Sequence, residues 1–408
     1  MNFFKKIYKI CILTTSLLIF PISSFASYIW STLDFTIPTN ASITDDNLND
    51  TSNPLNLDCG SSILIEQHTG QILYSYNCHE QLRPASVTKL MSILLIMEAL
   101  ENGKITYDTK IPCSENAASM GGSQIWLDPT ESLTVDEMLK AICVVSANDC
   151  VTAIAEYLGG TEEGFVNLMN TKAKELGMND TTYKNCHGID EDGHVTSSYD
   201  ISLLSRELLN KYPEITKFTS IWNDTLRDGK SELVNTNKLI RYYKGCTGLK
   251  TGSTSLALFN LSASATRDNL SLIAVVMKAP TSAIRFKCAS TLLDYGFTNF
   301  EYKQLLSSGD SIKTVDIDKG TKPTITAIAE SDCGHLIQKG NDVNIEQNVT
   351  IDAISLPIKK GQVIGSVNFV LDGELIASNN LVSDSDVDKL SLFSINKLIL
   401  KKWFYLMR

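Results

Sequence analysis

Apolar runs begin near Ser62 and change period several times along the chain, and each change predicts an element. SSILIEQ and QILYSYN alternate around the turn His68-Thr69-Gly70, the pattern of a β-hairpin. After Pro84, SVTKLMSILLIMEAL carries apolar residues at helical spacing with no breaker. It predicts a buried helix of about four turns, ended by Gly103. VDEMLKAICVV, NDCVTAIAEYLGG, EEGFVNLMNTKAKELGM and SYDISLLSRELLNKY are each amphipathic, so the chain reads as mostly helical up to residue 240. Strand character returns in LALFNLSASATR and NLSLIAVVMKA, a second hairpin, followed by a helix that carries Arg285, Leu292 and Leu293. Strands at both ends of a helical block predict an α+β domain. Its antiparallel sheet is built from the two ends of the segment and covered by helices.

The pattern changes again beyond residue 299. SIKTVDI, KPTITAIAE, NVTIDAI and VIGSVNFVLDGELIAS are short alternating runs between polar turns, which predicts a small all-β domain. At the other end, Lys5, Lys6 and Lys9 precede an apolar stretch from Ile10 to Phe20, and Ser24-Phe25-Ala26 puts small residues at the two positions a signal peptidase reads. This is the pattern of a secretory signal peptide cut after Ala26; an uncleaved N-terminal anchor is the alternative. The expected organisation is a signal peptide over 1–26, a polar linker rich in Asn, Asp, Ser and Thr over 27–56, the α+β domain over 57–298, and the β domain over 299–389. A C-terminal segment over 390–408 completes it. On a helical wheel Lys397, Lys401 and Arg408 share a narrow sector, and apolar residues such as Leu392, Ile395, Ile399, Trp403 and Leu406 fill most of the opposite half. That is the distribution of a helix lying on an anionic membrane surface rather than crossing it; packing on the protein itself is the alternative.

Composition narrows the function. Of the 408 residues, 43% are hydrophobic and 20% charged, which excludes a disordered or fibrous chain. Lys+Arg 36 against Asp+Glu 46 gives a net charge of −10, which argues against a nucleic-acid partner. Cys11 leaves with the leader, and the nine remaining cysteines are an odd number without a CxxC pair. They read best as small apolar residues in the core, Cys143 and Cys150 beside Ser146 included.

Three short motifs carry chemistry. Ser86 and Lys89 stand three apart at the start of the buried helix, so an ammonium can reach a hydroxyl on one face. A desolvated lysine loses its proton more readily and can then accept the serine's. Alone, Ser86 could equally be a helix N-cap. Ser146-Ala147-Asn148 falls in a tight connection between two helical patterns, and Lys250-Thr251-Gly252 at the start of a late strand. Ser-x-x-Lys, Ser-x-Asn and Lys-Thr-Gly in that order form the three-part signature of penicillin-recognising serine enzymes. His187 and His194, near Asp190 and Asp192 in HGIDEDGH, raise the thought of a metal pair. No HExxH and no third histidine support it, so the segment reads as a loop and neither metal nor cofactor is expected.

Over residues 57 to 390 the sequence resembles the low-molecular-mass penicillin-binding proteins, serine-type D-alanyl-D-alanine carboxypeptidases, and is most similar to their sporulation-associated members from endospore-forming bacteria. ASVTKLM, GGSQIWL, VSANDC, MNTKAKELGM, HGIDEDGH and GLKTGST carry the resemblance. It implies the penicillin-binding-protein/β-lactamase-like transpeptidase fold plus a C-terminal β domain, and removal of the terminal D-Ala from peptidoglycan stem pentapeptides, with β-lactams as covalent inhibitors. It implies Ser86 as acylated nucleophile, Lys89 as its base, Ser146 as proton relay and Asn148 as holder of a substrate amide. Lys250 would supply positive potential, Thr251 in the Lys-Thr-Gly252 strand would bond the substrate carboxylate, and the Ser86 and Ser253 N–H groups would form the oxyanion hole. Arg285 would face the same carboxylate. Thr247 and Ser253 depart from the commoner residues beside this motif, which bears on subsite preference. A β-lactamase and a wall-binding protein without catalysis are the rival readings. The extra β domain and tail, with no acidic deacylation motif between the second and third motifs, speak against the first. The intact Ser86, Lys89, Ser146, Asn148 and Lys250 speak against the second. The expected location is the outer face of the cytoplasmic membrane.

Overall fold

The structure, a computed structural model, describes residues 53–340, 344–391 and 403. The expected leader, nearly all of the polar linker, and the tail beyond 391 apart from Trp403 lie outside the described residues.

The large domain is organised by one five-stranded antiparallel sheet. Its strands are β1 (Ser61–Glu66), β2 (Ile72–Tyr76), β7 (Cys246–Thr254), β8 (Leu258–Arg267) and β9 (Leu270–Ala279), in the order β2-β1-β9-β8-β7. The first hairpin therefore lies beside the last strand, as strands at the two ends of the segment imply. β1 is buried at every position because both faces of the sheet are covered. Ile63 and Ile65 point into the core under the helical block, while Leu64 points to the opposite core with Leu272, Ala274 and Val276 of β9.

The helical block contributes α1 (Lys89–Glu101), α2 (Val135–Val144), α3 (Asn148–Gly159), α4 (Glu162–Glu175) and α5 (Ser198–Lys211); α6 (Ser282–Asn299) covers the other face of the sheet. α1 is apolar nearly all round and is buried at Leu90, Met91, Ile93, Leu94, Ile96 and Met97. Thr134 caps α2 through a capping box with Glu137, which fixes the approach to the Ser146 connection.

Two small pairs interrupt the stretch that periodicity gave mostly to helices. β3 (Lys110–Pro112) pairs with β4 (Ser132–Thr134), and β5 (Asn223–Leu226) with β6 (Ser231–Val234). The second is a hairpin whose turn holds Arg227, Asp228 and Gly229 at φ 55, 55 and 86°. The Asp228-Gly229 dipeptide is a hairpin signal, and four-residue strands are too short to outweigh the helical patterns around them. Lys250-Thr251-Gly252 also stands in the middle of β7 rather than at its start.

The C-terminal β domain contains a five-stranded antiparallel sheet. β11 (Ser311–Asp316), β12 (Thr324–Ala329), β14 (Ile345–Ile351), β15 (Val363–Leu371) and β16 (Glu374–Ser383) run in the order β11-β12-β16-β15-β14. A separate pair joins β10 (Phe300–Leu306) to β13 (Cys333–Gln338). Asp372-Gly373 joins β15 to β16 with φ 52 and 85°, the left-handed backbone that a two-residue hairpin turn requires. Ile325, Ala327, Val367, Phe369 and Leu381 fill its core, each from one face of an alternating strand.

Candidate active site

Ser86 lies in a 3₁₀ turn, Ala85–Thr88, that runs directly into α1. It is not a cap: Pro84 and Thr88 hold the two N-cap positions, and neither makes a side-chain cap bond. Ala85 is at φ 49°, a left-handed conformation that turns the next residue sharply out of the chain's path. Two glycines allow other segments to press on this turn. A Cβ on Gly252 would stand 2.8 Å from Pro84 O and 3.0 Å from Ser86 N, and one on Gly188 would collide with Ala85 O. Asn260, in β8, donates from Nδ2 to Arg83 O at 2.8 Å and to Pro84 O at 3.0 Å, tying the turn to the sheet.

Lys89 is fully buried. Its Nζ lies 3.0 Å from Ser86 Oγ, 2.6 Å from Asn148 Oδ1 and 2.6 Å from His187 O. None of these acceptors is a carboxylate. Burial pushes the ammonium well below its ordinary value of 10.5, and the neighbouring Lys250 lowers it further. A neutral amine has two N–H donors and one lone pair. Asn148 Oδ1 and His187 O take the two donors, which leaves the lone pair for the Ser86 hydroxyl. The set of partners is therefore complete for the base form of Lys89.

Ser146 sits at φ 67° between α2 and α3, and its Oγ accepts from Lys250 Nζ at 2.9 Å. Lys250 also donates to Thr251 O at 2.9 Å, is 1% exposed, and is pushed down to about 7 by burial. Asn148 opens α3; its Nδ2 donates to Gly121 O at 2.7 Å and its backbone N to Ser123 O at 2.7 Å, so GGSQIWL is held against it. The buried Asp149 carboxylate accepts from Ile125 N and Leu127 N, at 3.1 and 3.0 Å to Oδ2, and fixes the rest of that segment. The Thr251 hydroxyl meets Thr236 Oγ1 at 2.8 Å, and the Ser253 side chain is exposed. β7 is the edge strand of its sheet, so one side has no strand neighbour.

Ser86, Lys89, Ser146, Asn148, Lys250, Thr251 and Gly252 are thus brought together from the 3₁₀ turn, α1, the α2–α3 connection, α3 and β7. Arg285 arrives differently. It is 5% exposed; Nη1 donates to Gly252 O at 3.1 Å and Asn260 O at 3.2 Å, and Nη2 to Ser282 Oγ at 3.2 Å. The guanidinium lies over the rings of Phe286 and Phe259. Its hydrogen bonds go to the backbone of β7 and β8 and to Ser282. Thr236, Asn260 and the His187 carbonyl belong to the site as well; His187 opens the HGIDEDGH block, and no motif marks Thr236 or Asn260. The histidines of the loop have structural partners: His194 Nδ1 accepts from Lys184 N and its Nε2 meets Thr88 Oγ1 at 2.8 Å, so Nε2 carries the proton. Burial holds His194 at about 4 and His187 at about 3, both neutral at pH 7.

A serine hydroxyl bonded to a lysine amine that burial drives toward its neutral form, a second buried lysine beside it and an edge strand suit acyl transfer to a substrate that ends in a carboxylate. Comparisons with known proteins lead to the same chemistry. The D-alanyl-D-alanine carboxypeptidase family model matches residues 48–281, and the model of the penicillin-binding protein 5 C-terminal domain matches residues 300–389. The chain is 43% identical over 348 residues to the D-alanyl-D-alanine carboxypeptidase DacF of Bacillus subtilis, covering 84% of this chain and 89% of that relative. It is 31% identical to DacC of Escherichia coli, over 83% of this chain and 86% of the relative. Among solved structures, penicillin-binding protein 5 from Haemophilus influenzae superposes with a TM-score of 0.68 at 32% identity, covering 83% of this chain and all of that one. The ampicillin-bound form of penicillin-binding protein D2 from Listeria monocytogenes gives 0.56 at 30% identity, over 60% of this chain and all of that one.

Proposed function

The chain belongs to the D-alanyl-D-alanine carboxypeptidase family, and from that premise we propose that Ser86 is the nucleophile with which it releases the terminal D-alanine. The activity is that of a serine-type carboxypeptidase of the cell wall, with peptidoglycan as substrate and β-lactams as ligands. The observation that carries the assignment is the 3.0 Å contact between Ser86 Oγ and a Lys89 amine that burial holds below its ordinary pKa.

In this reading Lys89 takes the Ser86 proton as Oγ attacks the carbonyl carbon of the scissile amide. The developing oxyanion is met by the backbone N–H groups of Ser86 and Ser253. Collapse expels D-alanine, whose amine receives its proton through Ser146, and water then attacks the Ser86 ester with Lys89 again as base. Asn148 holds a substrate amide through Nδ2. Thr251, oriented by Thr236, bonds the terminal carboxylate, and Lys250 provides the positive potential that draws it in. Arg285 acts as a positioning residue: it grips Gly252 O and sets the edge of β7, adding its charge to the cleft through the strand.

The test is a mass measurement of the intact chain after exposure to penicillin. A single adduct mapping to the Ser86 peptide is expected. Ser86→Ala should lose both adduct and D-alanine release, by at least about 10⁴-fold, with its melting temperature kept. Labelling of Ser86→Ala at the parent rate would sink the assignment.

The family acts outside the cytoplasm, and no helix among the described residues is long and apolar enough to cross a membrane. On the sequence pattern we place the signal peptide at 1–26, the catalytic domain at 57–298, the β domain at 299–389 and a membrane-surface helix at 390–408. Each basic residue of that helix adds about 1 kcal/mol on an anionic surface. Flotation with anionic liposomes should separate the full chain, which rises, from a chain ending at residue 389, which stays behind and still binds penicillin. Equal behaviour of the two removes the anchor from the reading.

A further inference from the structure

Outside the active site, one pair of nucleophilic side chains meets across the large domain. Cys59 lies in the bend just before β1, and Cys288 lies on the buried face of α6. Their thiols share a hydrogen bond, and Cys288 Sγ also stands 3.8 Å from Asp58 O, in the residue next to Cys59. Both belong to one apolar cluster between the sheet and α6. The bend is fixed from the other side as well, by Gly60 N donating to Met277 O of β9 at 3.0 Å. The two sulfurs are therefore held together by elements that are themselves held.

We propose that Cys59 and Cys288 form a disulfide, made outside the cytoplasm by exchange with a small-molecule or protein disulfide, which staples the approach to β1 onto the helix that supplies Arg285. Access and reactivity divide between the two thiols. Cys59 is half-buried and Cys288 is 3% exposed, so Cys59 is the more open of the two residues. The contact between the two thiols pushes Cys288 down and Cys59 up. In the first step Cys59 Sγ bonds to one sulfur of the oxidant disulfide; the oxidant S–S bond breaks, and the Cys59 proton leaves with the departing thiol. In the second step the sulfur of the Cys288 thiol attacks Cys59 Sγ, the mixed disulfide breaks, and the departing thiol takes the Cys288 proton. Two protein thiols are oxidised and one external disulfide is reduced to two thiols.

The consequence reaches the active site. Cys288 and Arg285 stand three apart on α6, both buried and on one face. A covalent tie at Cys288 fixes the turn from which Arg285 reaches Gly252 O and Asn260 O. The closed loop spans roughly 230 residues, nearly all of the catalytic domain, and a cross-link over so long a segment restricts the unfolded chain strongly. The odd count of mature cysteines is then one pair plus seven thiols, without any CxxC.

The test uses the purified full chain, reduced and then incubated with oxidised glutathione. After alkylation of the remaining thiols, peptide mapping should return one linked pair joining the Cys59 and Cys288 peptides, with a loss of two hydrogens. The melting temperature should rise by about 5–10 °C over the reduced form. Cys59→Ser, at the half-buried position, should abolish the redox-dependent rise while keeping penicillin labelling, and Cys288→Ala should do the same. Separate alkylation or glutathionylation of the two cysteines with no cross-link overturns the proposal. So does a linked pair of other cysteines, or a rise of the same size in Cys59→Ser.

Discussion

Around Ser86 the large domain buries three cationic side chains, Lys89, Lys250 and Arg285, each at 5% exposure or less. In the β domain the buried polar side chains among the described residues are Asn379 and Ser383. Backbone conformation divides the same way. Ala85 and Ser146 take positive φ inside the site, whereas in the β domain the non-glycine residues that do so, Lys319 and Asp372, sit in turns between strands. The β domain keeps its irregularities to bulges within paired strands and to turns between them. The large domain breaks local rules where three motifs converge. Burying an unpaired cation disfavours folding and at the same time lowers its pKa, so the irregularities that cost the large domain stability also supply the base proposed for Ser86.

The contrast is broken most severely by removing that base. Lys89→Arg keeps a cation in reach of Ser86 but cannot give a neutral acceptor near pH 7. Acylation by a β-lactam should fall by about 10²- to 10⁴-fold, the range for loss of a general base. Stopped-flow acylation of the variant measures it, and a fall of less than threefold would mean that another group takes the Ser86 proton.

How much of this was legible follows from where each interaction lies along the chain. Ser86 and Lys89 are three residues apart, and Ser146 and Asn148 two, so local spacing announces them. Asn260 reaches Pro84 across 176 residues and Thr236 reaches Thr251 across 15, and neither residue differs in type or pattern from an ordinary polar position in a strand or loop. Lys89 binds a backbone carbonyl of His187, 98 residues away, and a carbonyl has no residue signature at all. The Arg285 position was visible, but its packing was not. The stacking of its guanidinium on Phe259 and Phe286 turns it toward the strand, and that packing exists only once α6 lies on the sheet. The β domain was easier because alternation of period two specifies both faces of a strand from the strand alone. The hairpin β5–β6 was hidden by its length despite its Asp-Gly turn.

A second way to sharpen the comparison is through pH. Burial brings Lys250 from 10.5 to about 7, so between those values the unfolded chain holds a proton that the folded chain has released. Its contribution to stability is complete above the unfolded value, shrinks as pH falls toward 7, and is smallest below. Lys250→Met removes this titration. The variant should melt higher than the parent at pH 6, with the gap closing steadily as pH rises toward 9.5, while its β-lactam acylation slows. A gap that does not change with pH would show that Lys250 keeps its ordinary pKa in the folded protein.

The smallest expected effect lies in the β domain, at Gly373. Its φ of 85° lies in the region where a Cβ is strained, yet nothing stands within 4 Å of the position a Cβ would take. Gly373→Ala therefore introduces backbone strain without a clash, on the order of 1 kcal/mol. For a domain of this size that corresponds to a melting shift of about 4–8 °C. Because the turn joins β15 to β16 and touches no residue of the Ser86 site, penicillin acylation should stay within twofold of the parent. Differential scanning calorimetry and a single acylation trace on the same sample read both quantities. If the shift and the acylation rate move together, the two regions are energetically coupled, and the catalytic strain of the large domain is being held in part by the β domain's regular sheet.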